Sequence, residues 1–339
     1  MTAESQAIGA RSAGGEPGLP PAITGRLRLP LIAAPMLHVS GPELVGAACC
    51  AGVIGAFPTA NARTIEELDA WFTAVKEQRA RAIDRKADGL IAPFCPNLII
   101  RQPRLAQDLA CVIRHRAEIV ITSVGSPAAL VGPLHDSGCL VLADVATLRH
   151  AEKAIAAGVD GLILLTAGAG GQTGWLNPFA FTRAVRQIFA GPIVLAGGVS
   201  DGAALWAARV LGCDLAYMGT KFIATAESRA ADRYKAMLVQ SSLDDILLTR
   251  AFTGLQTSML LPSILAAGLD PSRLDDQVSV PEAAEMYGGK AASAGPKRWR
   301  DIWSAGHSVS GIDGIGSVAD LIDRTLREYI EARAATTRM

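Results

Sequence analysis

Short apolar runs alternate with longer segments whose apolar residues recur every three or four positions, and the alternation repeats between Leu27 and Ala224. LRLPLIAAP opens the series as a strand, and VIGAF, LIAPF, EIVITS, CLVLADV, DGLILL, PIVLA and DLAYM continue it. Such nearly unbroken apolar runs suit parallel strands covered on the outside by helices. Helix starts are written between them. Ser40-Gly41-Pro42 supplies a serine N-cap and a first-turn proline, Thr64 and Glu67 have capping-box spacing for a helix over Thr64 to Arg85, and Thr147 opens another that ends at Gly158. Eight βα units predict an α/β fold closed into a (β/α)8 TIM barrel, with a doubly wound open sheet as the alternative.

Beyond Ala224 the regularity fails. Glu227 to Gln240 reads as helix, DDILLTRAF as strand-like, LPSILAAGL as helix, Met286 to Lys297 as loop, and Ser317 to Arg333 as an amphipathic closing helix. The pattern predicts a small, mainly helical C-terminal subdomain over the barrel mouth. Residues 1–26, rich in Gly, Ala, Ser and Pro and without the apolar centre of a signal peptide, read as a flexible leader. The expected division is leader 1–26, barrel 27–226, covering subdomain 227–316, and closing helix with tail 317–339.

Composition narrows the function classes. Lys+Arg and Asp+Glu are both 32 in 339 residues, so no net charge points to nucleic acid or an anionic membrane surface. No apolar run approaches the ~18 residues of a membrane span. The six cysteines lack CxxC spacing and sit among apolar neighbours, which reads as buried thiols in a reducing cytoplasm. No HExxH, clustered Cys/His or EF-hand loop suggests a metal.

Glycine marks the candidate chemistry. AGAGGQTGW, LAGGVSDG and YMGTKF break three consecutive strands at their C-terminal ends. A main chain without Cβ can bring its N–H groups close to an anion, and the loops after strands seven and eight of such barrels often hold phosphate. Gly197-Gly198 and Gly219-Thr220 fit those two loops, with the threonine hydroxyl as a further donor. GAGGQTG is no Walker loop, since it lacks the lysine, and its partial likeness to GxGxxG follows the sixth strand, not the first.

Taken together, IAAPM, GAGGQTG, VLAGGVSDG, MGTKFIATAES and WSAGHSVSGID resemble the nitronate monooxygenases, FMN-dependent (β/α)8 barrels, over about Leu27 to Arg333. A related branch contains flavin enoyl-acyl-carrier-protein reductases. The resemblance implies FMN as cofactor, with Pro35 and Met36 along the flavin ring, Asn97 near its edge, and Ala169, Gly170 and Gly171 beside the pyrimidine or ribityl part. It also implies Gly197, Gly198, Gly219 and Thr220 around the phosphate, with Met218 as a further cofactor-binding residue. The implied partners are a small-molecule substrate and dioxygen, with a homodimer left open. Two departures stand out. Family members carry GGH where this chain has Gly170-Gly171-Gln172, and Asp144 stands where many place a flavin-contacting lysine. Gln172 cannot titrate but can donate an amide hydrogen bond to a negative charge.

The remaining candidates each carry an alternative. His38, in the loop after the first strand, either faces the flavin or substrate or is a solvated loop residue. His307 lies in a small-residue turn that either dips toward the mouth or is an ordinary turn. Trp175 and Asn177 either wall the substrate pocket or simply pack. His115, His135 and His150 fall in or beside the outer helices and read as surface residues.

Overall fold

A computed structural model describes residues 18–85, 90–288 and 295–337. Six parallel strands come first: β1 (Leu31–Ala33), β2 (Ile54–Pro58), β3 (Phe94–Ile99), β4 (Ile119–Ser123), β5 (Leu140–Val145) and β6 (Gly161–Leu165). The two-residue β7 (Gly171–Gln172) leaves the series, and β8 (Ile193–Ala196) and β9 (Leu215–Met218) complete it. β9 pairs with β1 through Leu31↔Ala216, so the sheet closes into a parallel barrel of eight strands. Helix α1 (Pro21–Thr24) precedes the barrel. Outside it lie α2 (Pro42–Cys50), α3 (Ile65–Arg85), α4 (Leu105–Arg114), α5 (Ala128–Asp136), α6 (Leu148–Ala156), α7 (Pro178–Ile188) and α8 (Gly202–Leu211), and α9 (Thr220–Ile223) follows β9.

Strand parity divides the core. Leu31 and Ala33 face outward to Leu44, Val45 and Phe72, whereas Ile32 faces inward with Ile54, Ile121, Leu142, Ile163 and Val194. Leu19 and Ile23 join the inner cluster. This corrects the expected leader: residues 18–26 carry a helical turn that contributes apolar side chains to the barrel interior, and residues 1–17 lie outside the described residues.

Three local readings are refined. The third strand starts at Phe94, the last residue of the expected LIAPF, because its ladder to β2 runs from Gly55↔Phe94 to Pro58↔Asn97. Ile91 and Ala92 are buried without being strand, a distinction apolarity cannot make. Ser40 does not cap α2, whose N-cap is Gly41. Its Oγ accepts from Met36 N–H at 3.0 Å and donates to Ala34 O at 3.2 Å, which fixes the loop after β1. At α3, Thr64 Oγ1 accepts from Glu67 N–H as expected, while the Glu67 carboxylate accepts from Arg63 N–H, one residue earlier than in a capping box.

The covering region contains α10 (Asp232–Val239), the antiparallel pair β10 (Ile246–Thr249) and β11 (Thr257–Leu260), α11 (Leu261–Ala266) and α12 (Val280–Tyr287). It is less purely helical than expected, because β11 also pairs with β7 through Thr257↔Gln172 and Ser258↔Gly171. TSMLLPSIL hides this strand by running directly into a helix, with Pro262 in the first turn of α11 marking the change. Part of the segment expected as loop, residues 289–294, lies outside the described residues. Tyr234 stacks on Trp303 at 4.9 Å, and Leu238, Leu260, Val309 and Ile312 pack around them. The closing helix α13 (Val318–Thr337) lies so tightly on α8 that a Cβ at Gly202 would stand 2.1 Å from Tyr329 N.

Candidate functional site

Strand C-termini and the covering region enclose a cavity of about 1090 Å³. Pro35 and Met36 reach it from the loop after β1, Asn97 from β3, Asp144 from β5, Ala169 to Gln172 and Trp175 from the loop after β6, Gly197 and Gly198 from the loop after β8, and Gly219 and Thr220 from beyond β9. The loops hold one another in place. Gly306 N–H donates to Thr220 Oγ1 at 2.9 Å, and His307 N–H donates to Gly168 O at 2.9 Å. A Cβ at Gly306 would stand 2.4 Å from Gly168 O, so WSAGHS lies against the loop after β6 only because residue 306 is glycine.

Four expected residues do not line the cavity. Met218 is buried in the layer between strands and helices, because strand alternation turns its neighbour Tyr217 inward instead. Asn177 caps α7, its Oδ1 accepting from Phe179 N–H and Ala180 N–H. His38 is exposed at φ 60° in the loop after β1, where its N–H donates to Asn61 Oδ1. His307 is exposed against Gly168, while Ser304, Ala305 and Ser308 of its segment border the cavity.

Of the helix histidines, His150 is exposed as expected, whereas His115 is not. His150, on the first turn of α6, borders the cavity. His115 has a side chain only 11% exposed, stacks on Phe72 at 4.8 Å and bonds to Asp69 Oδ1 at 2.8 Å. With Cys111 these residues form a triad spaced for a metal, but Arg114 already donates to Asp69 Oδ1 and to Cys111 Sγ. A guanidinium there opposes a cation.

Two features of the cavity have chemical weight. First, among the described residues the backbone N–H groups of Gly197, Gly198, Gly219 and Thr220 donate to no protein acceptor. Backbone donors are rarely left unpaired, and grouped ones make an anion site. Gly198 has φ 72°, and a Cβ there would meet nothing within 4 Å, so its open side is cavity. Second, Asp144 Oδ1 is buried without a hydrogen-bond partner, and burial pushes its carboxyl up to about 7. Burial raises the Tyr217 phenol too, with a smaller contribution from the Asp144 charge. Sequence reasoning missed Tyr217, whose inward parity was readable once Met218 was placed outward. It also missed Arg101, Lys153, Arg250 and Arg298 around the cavity, because the segments that carry them hold no local motif.

Comparison with known proteins agrees with this architecture. A nitronate monooxygenase from Paraburkholderia phytofirmans is 29% identical over 304 residues, 79% of this chain and 82% of that protein. A (3aS,4S,5R,7aS)-5-hydroxy-7a-methyl-1-oxo-octahydro-1H-indene-4-carboxyl-CoA dehydrogenase from Mycobacterium tuberculosis is 29% identical over 234 residues, 68% of this chain and 62% of that protein. Among solved structures, nitroalkane oxidase from Streptomyces ansochromogenes superposes with a TM-score of 0.72 at 26% identity, covering 93% of this chain and 99% of that one. FabK from Thermotoga maritima gives 0.77 at 24% identity, covering 93% and 98%, and supports the fold alone. The family profile described as nitronate monooxygenase matches residues 23–328, and with its closed barrel this chain belongs to that family of flavin-dependent oxidoreductases.

Proposed function

We propose that this protein is an FMN-dependent oxidoreductase acting on a carbanion-like substrate, with an alkyl nitronate as first candidate and dioxygen as oxidant. The observation that carries the reading is the set of four unpaired N–H groups at Gly197, Gly198, Gly219 and Thr220 on one side of the cavity. Their chemistry fits a phosphate dianion, and Thr220 Oγ1 keeps its own O–H to donate after accepting from Gly306. Pro35, Met36 and Ala169 would offer apolar contact to a ring system. FMN bound there would take an electron pair from the substrate and return it to dioxygen. Gln172, exposed to the cavity on β7, would donate an amide hydrogen bond to a nitro oxygen and cannot act as a general base. Asp144, neutral through weakly acidic pH, leaves the cavity floor uncharged beneath an anionic substrate.

The test is the purified protein with a preformed nitronate under air. A flavin spectrum with nitrite and a carbonyl product supports the reading, and flavin without product refutes the activity. Gln172→His should add turnover on neutral nitroalkanes, since it supplies a base where the amide has none.

A second reading keeps FMN but makes NAD(P)H the donor and an activated thioester the acceptor. It is favoured by Gln172 in place of the family histidine, and by relatives from M. tuberculosis and Rhodococcus jostii whose names specify a carboxyl-CoA substrate. Anaerobic bleaching of the flavin by NAD(P)H, with no response to nitronate, selects it.

A further inference from the structure

The charge around the cavity is one-sided although the chain as a whole is balanced. Five basic side chains border it: Arg101 beyond β3, His150 and Lys153 on α6, Arg250 beyond β10, and Arg298. Asp144 on the floor is the one carboxyl among the described residues that does so. Arg101 and Lys153 are exposed and engage no carboxylate or other side-chain partner among the described residues. The two arginines of the covering region are positioned by neutral acceptors, Arg298 Nη1 donating to Phe252 O at 2.8 Å and Arg250 Nη2 to Gly254 O at 3.1 Å. Asp276 is the acidic neighbour of Arg250, and its carboxylate is already engaged by Thr249 Oγ1 and by Arg250 N–H. Positive charge therefore borders the cavity from both barrel and cover, against the one carboxyl of Asp144 among the described lining residues.

A small nitronate has no use for this many cations. Guanidinium forks and ammonium groups around a cleft match phosphate oxygens and concentrate polyanions. We propose that this rim binds the phosphorylated adenosine diphosphate tail that coenzyme A and NADPH share, the reactive end of the same molecule reaching inward to Gln172. The assignment of that inner end rests on the proposed flavin site; the rim itself does not.

Isothermal titration of the FMN-loaded protein with coenzyme A, dephospho-coenzyme A, NADPH and NADH, at low and at physiological salt, tests this. Binding should need the extra phosphate, weaken with salt, and fall about ten-fold for each of Arg101→Ala and Lys153→Ala while FMN content stays unchanged. Binding of coenzyme A alone assigns the rim to a thioester substrate, and binding of NADPH alone to the electron donor. No binding of either, or binding indifferent to salt and to both variants, overturns the proposal. Arg101→Glu with Lys153→Glu provides a stronger reversal at the same exposed positions. A preparation that takes up no FMN removes the proposed function, and titrating that preparation still decides the rim.

Discussion

Replacing Asp144 with asparagine should make the ligand-free protein more stable at mildly alkaline pH. The folded carboxyl titrates at about 7 against an ordinary 3.8, with burial as the cause. Roughly three units at ~1.4 kcal/mol each give a bias of about 4 kcal/mol toward the neutral form. Because the residue borders a water-accessible cavity, we expect ~2–4 kcal/mol to be expressed. Between the two values the folded state keeps a proton that the unfolded chain has released. Stability therefore declines as pH rises through that window, and the full cost is present above it. Asparagine has the shape of the neutral carboxyl and does not titrate. Urea denaturation at pH 5 and pH 8 reads the difference: the advantage of Asp144→Asn should be small at the lower pH and larger by ~1 kcal/mol or more at the higher. An advantage that is the same at both, or a parent that gains on the variant at pH 8, refutes the reasoning. The same charge opposes an anionic substrate, so the parent's apparent affinity for a nitronate should weaken as pH rises through 7, and the variant's should not.

Gly198→Ala places a side chain in the open cradle at φ 72° and should lose FMN on dialysis, measured by flavin absorbance, at about 1 kcal/mol of backbone strain. Ile23→Ala opens a hole at the base of the barrel interior and should cost ~2–4 kcal/mol in denaturant with flavin retention unchanged. Gly202→Ala drives a Cβ into the backbone of α13 and should lower the denaturation midpoint more than Ile23→Ala does.

The barrel was legible because each strand and helix carries its own signal. Apolar runs name the strands, Thr64 and Thr147 name helix starts, and closure follows from the number of units. Glycine at strand ends likewise marked the loops that meet at the cavity. What escaped was set by geometry across the chain. Met218 and Tyr217 exchange roles under a one-residue change of parity, and Ser40 is drawn from its cap by Ala34 and Met36. The cations at Arg101, Lys153, Arg250 and Arg298 belong to segments far apart in sequence, so no window of residues contains their shared field.

Gly171 and Gln172 belong to the barrel by chain order and to the cover by hydrogen bonding, since their partners are Ser258 and Thr257. The cover therefore cannot tilt or lift without pulling the amide of Gln172 along or breaking that short ladder. Access to the cavity and placement of its central polar group are one mechanical variable, and grafting a relative's cover onto this barrel would transplant the relative's active-site loop conformation as well.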